Sequence, residues 1–350
     1  MAKDNDKTYQ PLIISDNEIR PGQRITLDLV VGRLYTHSPI TMPVHVIHGK
    51  RPGPRLFISA AIHGDEINGV EIIRRLLRLP VLKRLHGALV AIPIVNVHGF
   101  ISHSRYLPDR RDLNRSFPGS HKGSLAARLA HLFMDEIVSA CTHGIDLHTG
   151  AQHRNNLPQI RAFLDDAETE RLARAFSVPV ILNADLRDGS LRQVAADRGI
   201  PMLLYEAGEA LRFDEVGIRL GVKGILSVMR ALGMLPQTKH AKPQKPPVVA
   251  RSSTWVRAPE GGILRSTAAL GMRVKKGDVL ATIADPFGER ENEVKSPVEG
   301  IVICRMNLPL VNEGEGLFHI ARFHQVDKVA AHIEAYHSEV ADEPEPYLDQ

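Results

Sequence analysis

Between residues 25 and 49 apolar and polar positions alternate, first in ITLDLVVGRLY and then in ITMPVHVIHG. That period of two predicts a pair of half-buried strands. Residues 55–62, RLFISAAI, form a short apolar run between PGP and HGD, which predicts a buried strand. In EINGVEIIRRLLRLP the apolar residues Ile67, Val70, Ile73, Leu76 and Leu77 recur at helical spacing until Pro80 ends the segment. Downstream the pattern predicts a strand at 87–96, a polar loop over 98–122 and a helix at 124–140. HGIDLHTG then reads as strand running into loop. VPVILN and GIPMLLYEAG are two more buried strands, with a polar helix around 191–198 between them. Strands that alternate with helices predict an α/β fold, a mixed sheet flanked by helices, in which functional residues gather in loops beyond strand ends.

Residues 236–250, PQTKHAKPQKPPVVA, are rich in proline and lysine, a linker composition. Beyond them the texture changes to short strands and glycine turns, with an internal repeat. Val274–Lys275–Lys276–Gly277–Asp278–Val279–Leu280, closing on Ile283–Ala284, recurs at Val311–Asn312–Glu313–Gly314–Glu315–Gly316–Leu317, closing on Ile320–Ala321. Neither copy alone could bury its apolar face, so the two are expected to close on each other as a small all-β barrel-sandwich. The expected organisation is a catalytic domain with N-terminal strands at 1–240, a linker at 241–250, a β domain at 251–323 and an acidic tail at 324–350.

Composition narrows the function. With 43% hydrophobic and 24% charged residues, the 350-residue chain has the balance of a soluble globular protein. No apolar run reaches the roughly 20 residues of a membrane span. The polar N-terminus shows no secretory signal, and two cysteines cannot supply a disulfide framework, so a cytoplasmic location is expected. The net charge of +4 comes from arginines scattered among apolar positions with little aromatic interleaving, which argues against a nucleic-acid surface.

The sharpest chemical signal is His63-Gly64-Asp65-Glu66, where a strand gives way to a helix. An imidazole and a carboxylate three residues apart share a helix face and can converge on one ion. Catalytic zinc commonly takes two histidines and one glutamate and keeps a position for water. The second histidine is expected at His148, in DLHTG after another strand. The base for such a water should be a shielded carboxylate, and Glu206, ending the apolar strand LLYEAGE, is preferred over Glu209. The loop 104–119, SRYLPDRRDLNRSFPG, carries four arginines. Arg110 and Arg111 can pair with Asp109 and Asp112, whereas Asn114 and Arg115 read as a carboxylate clamp.

In the order HGDE, RDLNRSFPG, DLHTG and YEAGE, across residues 45–235, the chain resembles the succinylglutamate desuccinylase/aspartoacylase family of the zinc-carboxypeptidase (M14-like) clan. The repeat, with Lys295-Ser296-Pro297 between its copies, resembles a biotinyl/lipoyl carrier barrel. Glu289 stands where a carrier has its modified lysine, so a packing or site-shaping role is expected instead. The family resemblance implies one Zn2+ per chain on His63, Glu66 and His148, with Glu206 as general base and acid. It implies that Asn114 and Arg115 hold the substrate's carboxylate and that an arginine of the same loop, Arg105 or Arg111, polarises the scissile carbonyl. Asp65 and Asp146 would support the ligands, with helix capping an equal alternative for Asp65. Arg192 would be either a cation for a dicarboxylic acyl group or an exposed helix residue.

The implied reaction is hydrolysis of the amide of an N-acyl amino acid or related N-acyl amine by Glu-assisted attack of water at zinc. The implied partner is a small N-acylated molecule bearing a carboxylate, with neither nucleic acid nor membrane, and a homo-oligomer is compatible. The alternatives are a metallocarboxypeptidase acting on short peptides and a non-catalytic binding module.

Overall fold

The computed structural model of the chain describes residues 9–237, 247–250 and 252–323. Strands β1 (Arg24–Arg33) and β2 (Pro39–His48) realise the two alternating stretches. They pair antiparallel and bury Leu27, Leu29, Met42, Val44 and Val46. Six more strands extend the sheet: β3 (Arg51–Ala60), β4 (His86–Ile92), β5 (His143–Gly150), β6 (Arg154–Ala162), β7 (Val180–Asn183) and β8 (Met202–Glu209). The order across it is β1-β2-β4-β3-β5-β8-β6, with β7 beside β6. The run β4, β3, β5, β8 is parallel, so the carboxyl ends of β3, β5 and β8 lie side by side.

The mixed sheet is flanked by helices, as expected. Helices α1 (Asn68–Leu76), α3 (Ala167–Phe176) and α5 (Glu215–Ala231) cover one face. They pack Ile72, Phe176 and Ile225 against Ile58, Ile145, Ile160 and Tyr205. Helices α2 (Leu125–Phe133) and α4 (Leu191–Asp197) cover the other, over Phe57, Val90 and Met202. Ser124, Asp166, Ser190 and Asp214 cap the four later helices by accepting a backbone N–H two residues inside the first turn.

Two strands run further than the pattern predicts. Residues 149–150 belong to β5, and β8 continues through Glu209. Strand β6, RNNLPQIRA, is not signalled by alternation at all. Its Pro158 sits in a register shift, between the pairs Glu206↔Gln159 and Gly208↔Asn156. A bulge is where a strand tolerates a residue without an N–H, and it also resets which face the following side chains use.

Of the barrel-sandwich expected at 251–323, the described residues show two facing sheets rather than a closed barrel. Strands β10 (Ser252–Arg257), β12 (Gly316–Arg322) and β11 (Gly300–Met306) join the main sheet, because β11 pairs antiparallel with β6 at Cys304↔Asn156, Arg305↔Asn155 and Met306↔Arg154. The strands Glu291–Lys295, Val279–Ala284, Gly262–Ser266 and Leu310–Val311 make an open four-stranded sheet opposite them. Leu264, Leu280 and Ile283 from this sheet share a core with Val302, Leu317 and Ile320 from the main one, so the repeat does bury its apolar faces together. Within the expected linker, β9 (Val248–Ala250) is a strand pairing parallel with β7. The expected acidic tail at 324–350 lies outside the described residues. Among the described residues, no helix is long and apolar enough to cross a membrane.

Candidate functional site

The chain leaves β3 through Ala61, a non-glycine residue at φ 51°, and delivers His63, Asp65 and Glu66 just before α1. The turn packs so tightly that a Cβ on Gly64 would lie 2.0 Å from the backbone carbon of Gly99. Only glycine fits there, which explains its place between His63 and Asp65. On the neighbouring strand β5, Leu147 turns into the core while Asp146 and His148 face the opposite side.

His63, Glu66 and His148 converge. One ligand atom from each lies within 4.8 Å of the others, and all three residues are buried. His63 Nδ1 is 2.7 Å from Glu66 Oε1, and His148 Nδ1 is 2.7 Å from Glu66 Oε2. The far ring nitrogens have partners of their own. His63 Nε2 lies 3.1 Å from Asp112 Oδ1, and His148 Nε2 lies 2.6 Å from Asp146 Oδ2. A carboxylate behind each imidazole keeps the proton on Nε2 and turns the Nδ1 lone pair inward, as a metal requires. Asp146 is itself held by the Ser59 hydroxyl at 2.8 Å.

The electrostatics favour a cation at this point. Burial opposes charge on Glu66, but His63 and His148 outweigh it and hold its carboxyl well below the ordinary range. Burial likewise opposes charge on the imidazoles, yet Asp146 and Glu66 raise the pKa of His148, and Glu66 and Asp112 raise that of His63. Two imidazoles and one carboxylate are the donor set of an open zinc site, and the residues present fit that ion.

The arginine loop resolves into inner and outer residues. Arg105 points inward, with Nη1 3.3 Å from Glu66 Oε1 while Nε and Nη2 donate to Asp112 Oδ2 at 3.2 and 2.9 Å. Arg111 is exposed, and its guanidinium lies 3.9 Å from the Asp109 carboxylate. Asp112 was read from sequence as a surface partner of Arg110 and Arg111. It instead joins His63 to Arg105 and caps the turn Leu113–Arg115 by accepting from the Asn114 N–H at 2.8 Å. The signal that could have found it is chemical: a ligating histidine needs an acceptor for its second N–H, and Asp146 serves only one of the two. Asp65 does not cap α1. Its Oδ2 accepts from Gln152 Nε2 at 3.3 Å.

Asn114 is buried, and its side-chain oxygen accepts the Leu191 N–H at the start of α4 at 2.9 Å. Arg115 is exposed beside it and donates to the Asn114 carbonyl. Glu206 is the register neighbour of His148 across the parallel pair β8–β5. Its carboxylate accepts from Asn156 Nδ2, and Arg161 Nε lies 3.2 Å away. Glu209 is buried and structural: it accepts from the His153 N–H at 3.0 Å and from Asn307 Nδ2 at 2.8 Å, tying β8 to the loop after β11. Arg192 is 9% exposed rather than on the surface, and its Nη2 donates to the Asp185 carbonyl at 2.7 Å.

Comparison with known proteins follows the same lines. The profile of the succinylglutamate desuccinylase/aspartoacylase catalytic domain matches residues 52–232. The N-alpha-acetyl-L-2,4-diaminobutyric acid deacetylase of Halomonas elongata is 27% identical over 295 residues, 81% of this chain and 86% of that protein. Two solved structures share the fold, each with a TM-score of 0.79. A succinylglutamate desuccinylase/aspartoacylase from Rhodobacter sphaeroides is 24% identical, covering 90% of this chain and 99% of that one. The product-bound ectoine utilization protein EutE (DoeB) from Ruegeria pomeroyi is 23% identical, covering 89% and 99%.

Proposed function

The chain belongs to the succinylglutamate desuccinylase/aspartoacylase family, and from that membership and the site geometry we infer how it works. It is a zinc-dependent hydrolase that cleaves the carbon–nitrogen amide bond of an N-acyl substrate. The observation that carries the reading is the convergence of His63, Glu66 and His148 beside Glu206.

His63 and His148 through Nδ1, with Glu66, would hold the zinc. When bound, the ion supplies an acidified water near neutral pH and polarises the scissile carbonyl. Glu206 takes the proton of the attacking water and returns it to the departing nitrogen, and Asn156 and Arg161 fix the direction of its carboxylate. Arg105, oriented by Asp112, faces the developing oxyanion, a contribution of about 3 kcal/mol for one well-placed donor. Arg105 is preferred over Arg111 for that role, because Arg111 is exposed and lies beside Asp109. The amide N–H2 of Asn114 and the guanidinium of Arg115 hold the substrate's carboxylate, while the Asn114 oxygen anchors α4. Arg192 supplies a further cation away from the metal.

The natural partner is a small N-acylated molecule. The Halomonas relative by its name takes an acetylated diamino acid. Both cysteines are free and buried, which suits the reducing cytoplasm proposed for the protein. The test is metal analysis together with a substrate panel. About one zinc per chain and turnover of N-acyl amino acids are expected. Faster cleavage of dipeptides would indicate a carboxypeptidase, and absence of metal and of turnover would leave a binding module.

A further inference from the structure

The open four-stranded sheet of the C-terminal segment has two unlike faces. Leu264, Leu280 and Ile283 enter the core shared with the main sheet. Directly opposed residues of paired strands share a face, so the outer face can be read row by row from the register. One row runs Leu310, Ile263, Ala284, Glu291. The next runs Arg265, Thr282, Glu293. Leu310 is 62% exposed and Ile263 38%. The turn at 285–290, which leaves the Ala284 end of the first row, carries Phe287 at 85% exposure. That turn is held in place. The Asp285 carboxylate accepts the N–H of Phe287 at 2.7 Å and that of Arg290 at 2.5 Å, so the ring is presented to water on a fixed loop.

Single exposed apolar residues are ordinary on a protein surface, whereas a contiguous apolar patch with a charged border marks an interface. Here Leu310, Ile263 and Ala284 are adjacent by strand pairing, Phe287 stands at their end, and Arg265, Glu291 and Glu293 border them. None of these residues belongs to the zinc site.

The distribution of charge points to the occupant. Glu293 lies on one side of the central strand Val279–Ala284, and Arg265 lies on the other side at the same level. A two-fold axis in the contact plane, running along the central strand, exchanges those sides. It sets Arg265 against the partner's Glu293 twice, lays Thr282 over the partner's Thr282, and brings Phe287 over the partner's Ile263 and Leu310. Glu293 has Lys295 at 2.8 Å in its own strand, and a carboxylate has acceptor sites for both cations. A face whose charges match their own rotated copy suits an isologous dimer.

We propose that the outer face of the four-stranded sheet binds a second copy of this chain, sheet against sheet, in a two-fold dimer. The proposal is independent of the hydrolase reading. Four strands about 4.8 Å apart, of about five residues at 3.4 Å each, present a face of roughly 300 Å². That is well below the roughly 800 Å² per partner of a standard stable interface, so the dimer is weak and forms at about micromolar concentration.

Sedimentation velocity of the full chain between about 1 and about 200 μM, the range in which such a dimer dissociates, should show a reversible monomer–dimer equilibrium. Phe287→Ser should weaken the dimer about tenfold or more. Arg265→Glu and Glu293→Arg should each do the same, and the double variant should return to within about threefold of the parent. Thr282→Cys, on the axis, should be joined to its own copy by a short bis-maleimide, because both native cysteines are buried. That result stands whatever the charge variants do to folding. A chain that stays monomeric throughout the range overturns the proposal. So does a dimer indifferent to Phe287→Ser and Arg265→Glu, which must use another face. Charge variants that weaken the dimer without rescue in the double variant, with no cross-link at Thr282→Cys, overturn the two-fold arrangement.

Discussion

Asp112 gives the most demanding test of the site because one carboxylate serves two catalytic elements. Its Oδ1 accepts from His63 Nε2 and the Asn114 N–H, and its Oδ2 accepts from Nε and Nη2 of Arg105. All four partners are donors. In Asp112→Asn one oxygen becomes an N–H2, and either orientation of the amide sets donor against donor. Facing His63, it breaks the acceptor that fixes the Nε2–H tautomer and turns Nδ1 toward the metal. Facing Arg105, it releases the guanidinium from both bonds that aim Nη1 inward. Loss of a carboxylate behind a metal-bound histidine typically weakens the metal 10- to 100-fold, about 1.4 to 2.7 kcal/mol. Loosening Arg105 should cost a further 10- to 100-fold in kcat at saturating zinc. Zinc affinity is measured by competition with a chelator and kcat on the best N-acyl amino acid, with Tm as the folding control. A variant that folds, binds zinc within twofold of the parent and turns over normally would refute the coupling of His63 to Arg105 through Asp112.

Three other outcomes follow from the same geometry. Glu206→Gln should retain zinc, since Glu206 is not among the three converging ligands, and lose about 100- to 10,000-fold in kcat; metal content and steady-state kinetics on one preparation check both halves. Glu209→Leu strands the His153 N–H and the Asn307 amide, so urea unfolding should show a loss of about 1 to 3 kcal/mol with zinc affinity unchanged. The hydrogen bonds of Arg74, opposed by burial and reinforced by Arg75, hold the Glu71 carboxyl down at about 2. A depressed acid stabilises the fold above its unfolded pKa of about 4.3, and that stability is lost as pH falls from there toward 2. Because Arg74 is half exposed, the contribution is screened to about 1 kcal/mol, and Glu71→Gln should remove this part of the acid limb in urea titrations between pH 6 and 3.

Much of the α/β layer was legible because each of its strands is short, apolar and bracketed by turn residues, and its helices repeat apolar positions at helical spacing. The residues that converge on the metal position were legible for a related reason. His63 and His148 sit near the carboxyl ends of parallel neighbours β3 and β5, where topology alone brings side chains together. Asp112 was not legible, since a single aspartate among four arginines offers a local ion pair that competes with the true long-range one. Strand β6 was missed for the opposite reason. Asn156, Gln159 and Arg161 break the apolar pattern because they face the site rather than the core, and Pro158 argues against a strand until the bulge is seen. A functional strand is thus the kind that pattern reading loses.

The C-terminal segment shows where local pattern stops. Glycine spacing and the duplicated hairpin imply two sheets that bury each other's apolar faces, and they do. What the pattern leaves open is which strand edge finds a partner outside the pair. Edge N–H and C=O groups have no sequence mark, and an edge satisfied by a neighbouring strand is as well served as one closed into a barrel. Here the free edge is β11 and the partner is β6, so the C-terminal strands are bonded directly to the strand that carries Gln159 and Arg161. The bonded row Asn156–Cys304–His319–Trp255 then crosses from β6 through β11 and β12 to β10. It places a stacked imidazole within the field of Arg161. Had the repeat closed on itself, that row would end at β11, and His319 would have had no bonded path to β6. The open edge is therefore what bonds a segment of carrier-like texture to the strand whose Asn156 and Arg161 hold Glu206.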